Sequence, residues 1–155
     1  MSEAVMSEVY QPPRQGDVNL FIVDHLPADA VPVATDPRGV VLAEGERTGH
    51  HHRIGPVFRT ATRFDTPDGR QWLRVNGAPS RRAAELAAAV NQQVNTAEPT
   101  VPDDTVAAMR EEAVSLGAVE LVHEEHGPHL IPPGMTFEVV IQREYRPDGV
   151  RQVAD

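Results

Sequence analysis

Six of the seven histidines in this chain fall in two short clusters, Gly49-His50-His51-His52 and His123-Glu124-Glu125-His126-Gly127-Pro128-His129. Imidazole is the commonest protein ligand for zinc, iron, copper and nickel, and it titrates near neutral pH. Side chains alternate along an extended strand, so His50 and His52 are expected on one face and His51 on the other. With His123 and His126 from the second cluster they make a four-imidazole set for a divalent transition metal, zinc, iron, nickel or copper. Residues three apart leave a regular strand on opposite faces, so His123 and His126 converge only where the strand ends or bulges between them. Gly127-Pro128 supplies such an end, making His123 the last strand ligand and His126 a loop ligand. His129 is then spare, and is read as a substrate-side group. Glu124 and Glu125, lying between the ligands, are the candidate catalytic residues. A carboxylate there either supports a ligand imidazole or accepts a proton beside metal-bound water. Any one of these histidines taken alone reads as a hydrogen-bonded turn residue; two clusters in one chain favour a metal.

The elements that must position these residues are mostly strands. Val18 to Val23 is an apolar run of strand length, and Val40 to Ala43 begins another just before the first cluster. Pro56 to Phe64 and Gln71 to Val75 flank Asp65-Thr66-Pro67-Asp68-Gly69-Arg70, a hairpin with a loop longer than two residues. Asp65 and Asp68 are assigned to turn chemistry. Val119 to Val122 alternates and runs directly into the second cluster, while Thr136 to Glu144 reads as one long final strand. Between the strand-rich halves lie two amphipathic helices. Ser80 caps the first, over Arg81 to Gln93 with Leu86, Val90 and Val94 in a stripe. The second runs from Asp103 to Leu116, with Val106, Met109, Ala113 and Leu116 on one side and Gly117 just past its end. Arg81-Arg82 and Glu111-Glu112 are assigned to the solvated surface. The pair is expected to pack as a removable appendage, a lid over the histidines.

Composition narrows the function classes. A chain of 155 residues can bury one core, and its 40% apolar content is ordinary. It has no cysteine, hence no disulfide and no thiolate ligand, and no apolar run long enough to span a bilayer. The first residues lack the apolar stretch of a signal peptide, so a cytoplasmic protein without membrane attachment is expected. A net charge of −9 argues against nucleic acid as a partner. All 14 basic residues are arginine. That excludes Schiff-base chemistry and phosphate loops that need lysine, and together with abundant Ala, Val, Asp and Pro it suggests an actinobacterial, high-GC origin.

The combination of Gly49-His50-His51-His52, His123-Glu124-Glu125-His126-Gly127-Pro128, Pro132-Pro133-Gly134 and Gln142-Arg143-Glu144-Tyr145 resembles a group of small bacterial and phage proteins with the pattern GHxH, HxEHxP, PPG, QREY. The resemblance covers Gly16 to Pro147 and implies a site but no reaction. A looser similarity is to cupins, small β-barrels that hold a metal with an HxH pair, a nearby Glu and a later His. His50, His52 and the Pro133-Gly134 turn match that plan. Arg53-Ile54-Gly55-Pro56-Val57 offers no Glu, and Phe137 stands where the last cupin His would be.

These readings predict a mainly β fold of six to eight antiparallel strands, a small barrel or sandwich with a two-helix insertion at about residues 79–117. A disordered leader over residues 1–15, a single domain over 16–150 and a tail over 151–155 complete the plan. The expected function is a metal-binding β domain with a four-histidine site, acting as a metal-dependent enzyme on a small molecule, in a monomer or homo-oligomer. The alternative is a non-catalytic structural or interaction module, of phage or mobile-element type, whose histidines brace the fold or its assembly.

Overall fold

The computed structural model describes residues 3–12, 18–34, 40–44, 51–55, 61–122, 128–141, 143–146 and 149–152. In chain order its elements are helix α1 (Glu3–Val9) and strands β1 (Val18–Val23), β2 (Val31–Pro32), β3 (Val40–Glu44), β4 (His51–Gly55), β5 (Ala61–Asp65) and β6 (Gln71–Val75). Helices α2 (Arg81–Asn95) and α3 (Asp103–Ser115) follow. Strands β7 (Val119–Val122), β8 (His129–Ile131), β9 (Thr136–Ile141), β10 (Arg143–Arg146) and β11 (Gly149–Gln152) close the chain. The fold is therefore mainly antiparallel β with helices, as the alternating apolar pattern predicts. Eleven strands are found among the described residues, more than expected, because β2 and β8 are too short to show a period in sequence.

The larger sheet has the order β1-β9-β6-β5-β2 and the smaller one β3-β4-β7-β8, with β10 and β11 as a separate hairpin. The long strand expected from Thr136 to Glu144 is thus divided between β9 and β10, and Arg151 and Gln152, expected in a tail, pair with Glu144 and Arg143. The two larger sheets share one core. Leu73, Val75, Phe137 and Val139 of the larger sheet and Val119, Leu121, Leu130 and Ile131 of the smaller one belong to a single buried apolar cluster. Phe137 is fully buried in it.

Both helix boundaries follow from local chemistry. The Ser80 hydroxyl accepts from the Ala83 amide at 3.1 Å, capping α2. At the end of α3, Gly117 adopts φ +109°, and the Gly117 and Ala118 amides donate to the carbonyls of Val114 and Ala113. That is the Schellman arrangement, and it needs a residue that tolerates the left-handed region. The Pro132-Pro133-Gly134 turn locks these ends to the sheet. Gly134 donates to the Val75 carbonyl and has φ +81°, and a Cβ there would lie 2.6 Å from the Pro79 nitrogen, so no other residue fits.

Two expectations are corrected. The helix pair is no removable appendage, because Ala83, Ala84, Leu86, Ala87 and Val90 of α2 are buried in the main core and α2 packs on β8. Its small residues let the helix backbone approach the sheet closely. Only α3 is peripheral, with Ala113 as its one buried residue. The first residues are no disordered leader either. α1 packs on α2, and Met6 and Tyr10 are inaccessible to solvent. A seven-residue helix is too short to be stable by propensity, so tertiary burial of these two side chains holds it.

Candidate functional site

The strand residues that adjoin the two histidine clusters in sequence pair with each other in the smaller sheet. In the β4–β7 ladder Arg53 pairs with Val122, Ile54 with Leu121 and Gly55 with Glu120. His52 precedes Arg53 and residue 123 follows Val122, so both clusters adjoin the same rung although residues 53–122 separate them in sequence. On its other edge β4 pairs with β3, His52 opposite Ala43 and His51 opposite Glu44. The expectation of an extended segment therefore holds for His51 and His52. The candidate ligands His50, His123 and His126 and the candidate catalytic residues Glu124 and Glu125 lie outside the described residues, and His52 is described through its backbone. Among the described residues no group of three or more His, Asp or Glu side chains could hold a metal ion.

What surrounds that end is well defined. Arg110 of α3 donates to Glu120 Oε1 and to the Pro128 carbonyl, both at 3.3 Å, so α3 is tied to β7 and to the chain just before β8. β8 is pinned from behind. Asn91 of α2 donates to the Leu130 carbonyl at 2.9 Å and accepts from the Leu130 amide at 2.7 Å. The Tyr10 hydroxyl donates to the same carbonyl at 2.7 Å. Burial pushes the Tyr10 phenol well above its ordinary pKa, with the Asn91 side chain opposing the shift, so it remains a neutral donor. His129, read from sequence as a substrate-side group, is buried, and its Nε2 lies 2.7 Å from Asn95 Oδ1. That contact joins β8 to the end of α2.

Of the charged residues set aside as surface or turn chemistry, Arg81, Arg82, Glu112, Asp65 and Asp68 find side-chain partners. Arg81 meets Glu85 one turn on, and Arg82 of α2 meets Glu112 of α3 at 2.8 Å, which holds the Glu112 carboxyl below its usual range. In the β5–β6 turn the Thr66 hydroxyl donates to Asp68, and with help from Arg70 it keeps that carboxyl low as well. Asp65 pairs with Arg63 at 2.9 Å.

One concave site escaped the sequence reading. A cleft of about 460 Å³ opens on the larger sheet, between the segment that follows β1 and the side chains of Arg70, Trp72 and Glu138. Register gives the reason they meet: Trp72 of β6 lies opposite Glu138 of β9, which lies opposite Phe21 of β1. The i, i+2 spacing of Arg70 and Trp72 was the available signal, but Glu138 is joined to them only by long-range pairing.

Residues 14–81 match a family described as a domain of unknown function, DUF8820. That stretch takes in the first histidine cluster and β1 to β6, and it ends at the first residue of α2. It excludes the second cluster and β9, the strand that joins β1 to β6 in the larger sheet. No curated protein and no solved structure matches the chain. No helix among the described residues is long and apolar enough to cross a membrane.

Proposed function

We propose that this protein is a divalent-metal-binding β domain, with one ion held by His50, His52, His123 and His126 at the end of the β4–β7 ladder. The observation that carries this reading is the Arg53–Val122 pair. Were the ladder to continue by one rung, residue 123 would stand opposite residue 52, and directly opposed residues share a face with Cβ atoms about 5 Å apart. Two imidazoles at that separation can bind one ion. Alternation in an extended segment would put His50 on that same face, and His126 follows His123 by three positions in the sequence. The donor set is all nitrogen in a chain without cysteine, which suits zinc, iron, nickel and copper. Where the coordination keeps a position open beside the imidazoles, such an ion would supply acidification of a bound water, and Glu124 or Glu125 would be the residue to accept its proton in a reaction on a small molecule. The architecture that presents the site is a sandwich-like pairing of the two larger sheets around their shared core.

Alanine substitution tests the ligand set one residue at a time. His50→Ala, His52→Ala and His123→Ala each lower metal affinity by at least about tenfold, the loss expected when one of four ligands is removed. His51→Ala changes it little, because its ring leaves on the opposite face. Isothermal titration with zinc reads all four. Equal losses at His51 and His52 would contradict the face assignment, and no loss at His123 would remove the second cluster from the site.

A further inference from the structure

The edges of the two larger sheets are unequal. Main-chain donors and acceptors along an edge strand invite another strand, and folded chains guard them with short strands, proline, bulges or covering groups. Three of the four edges are guarded in this way. β2 has only two residues, one of them Pro32. β3 is bulged between Val41 and Ala43. On β8 the Leu130 amide and carbonyl are taken by Asn91 and Tyr10. β1 has no such guard. Its six residues, Val-Asn-Leu-Phe-Ile-Val, include no charge and no proline, and β9 is its one strand neighbour among the described residues.

Register identifies the unmet groups. The Val75 amide donates to the Met135 carbonyl at 3.0 Å, and the Val75 carbonyl accepts from Gly134 at 2.9 Å, so Val75 turns both groups toward the start of β9. Along an antiparallel ladder this bonding alternates from residue to residue. Followed through the β6–β9 and β9–β1 pairs, Leu73 bonds Phe137, Glu138 turns to Phe21, and Asn19, Phe21 and Val23 direct their main-chain groups to β9. The amides and carbonyls of Val18, Leu20 and Ile22 therefore point away from the sheet, and among the described residues nothing bonds them. On the outer face of the same strand Phe21 is 54% exposed.

We propose that β1 is the interface of a homodimer, in which it pairs antiparallel with β1 of a second copy across a two-fold axis at Leu20. The strand is uncharged, so it meets itself without repulsion and offers a foreign strand no charge to recognise. Directly paired residues share a face, so the core-facing Val18, Leu20 and Ile22 must pair among themselves. An axis at Leu20 sets Val18 opposite Ile22 of the partner subunit and Leu20 opposite Leu20 of the partner subunit. Every unmet amide and carbonyl is then bonded on both copies. On the outer face Phe21 lies opposite Asn19 of the partner subunit, which covers part of its ring. The far end of the joined sheet is the two-residue β2, which cannot extend the pairing, so assembly closes at two copies. The interface uses no histidine of the metal reading, so either can fail without the other.

Sedimentation of the full chain is expected to show a dimer with a Kd of about 10 μM or tighter. Asn19→Glu combined with Phe21→Glu sets like charges directly opposite each other and weakens association by at least about tenfold, while circular dichroism reports that the fold is kept. Mixing that variant with Asn19→Arg/Phe21→Arg restores the dimer as a heterodimer. The chain has no cysteine, so a second measurement reads the register by cross-linking. Asn19→Cys mixed with Phe21→Cys forms a disulfide between copies faster than Phe21→Cys alone, whose sulfurs stand a diagonal step apart. A full chain that stays monomeric at about 100 μM would overturn the proposal and leave the edge to a foreign strand. So would a dimer that the paired glutamates do not weaken, or one in which the two cysteine variants do not cross-link.

Discussion

At the residue scale, the side chains whose roles could be read from sequence are those with local partners. Ser80 as a cap, Gly117 past a helix end and Asp68 in a turn each follow from neighbours within a few positions, whereas Asp65 ends β5 and pairs with Arg63 of the same strand. Asn91 does not. In sequence it is a polar residue near the end of an amphipathic helix, and in the fold it holds both backbone groups of Leu130 at a separation of 39 residues. Its loss would leave the Leu130 amide without its acceptor in the core, while the carbonyl keeps only Tyr10. Asn91→Ala is therefore expected to lower unfolding free energy by about 2–4 kcal/mol, the cost of unsatisfied buried polar groups. Chemical denaturation measures it, and a change within about 0.5 kcal/mol, the size typical of surface substitutions, would show that the clamp contributes nothing. His129 teaches the same point. Its place in a histidine cluster suggested chemistry, whereas its contact to Asn95, from another element, was invisible in sequence.

At the element scale, strands with clean alternation and helices with recognisable ends were legible. Val18–Val23, Gln71–Val75 and Val119–Val122 have the bounds their apolar patterns suggest. What stayed hidden was where each element packs, because an apolar stripe records that a face is buried without recording against what. The stripe of α2 looked like the underside of a lid and is part of the core. The first residues looked polar enough for a leader, yet Met6 and Tyr10 anchor α1. Deleting residues 1–12 should accordingly destabilise the protein by more than about 3 kcal/mol, since removing a single large buried side chain costs about 2–5 kcal/mol. A thermal melt of the shortened chain unchanged from that of the full chain would restore the disordered-leader reading.

At the scale of the whole molecule, the candidate metal centre depends on topology. Neither cluster is a site by itself, and the reading rests on the pairing of β4 with β7, which joins Arg53 and Val122, the described residues beside them. Sequence could nominate His50, His52, His123 and His126, but a rung joining residues 53 and 122 is invisible to any local pattern. The central claim is that one divalent ion binds between the clusters, and elemental analysis of the full chain, purified without a histidine tag, tests it most directly. The account predicts one equivalent of zinc, iron, nickel or copper per chain at pH 7.5. Occupancy should fall as pH drops below about 6.5, where protons compete for imidazole nitrogen. Protein that carries no metal after gentle purification, and takes up none when zinc, nickel or iron is added at pH 7.5, would contradict it.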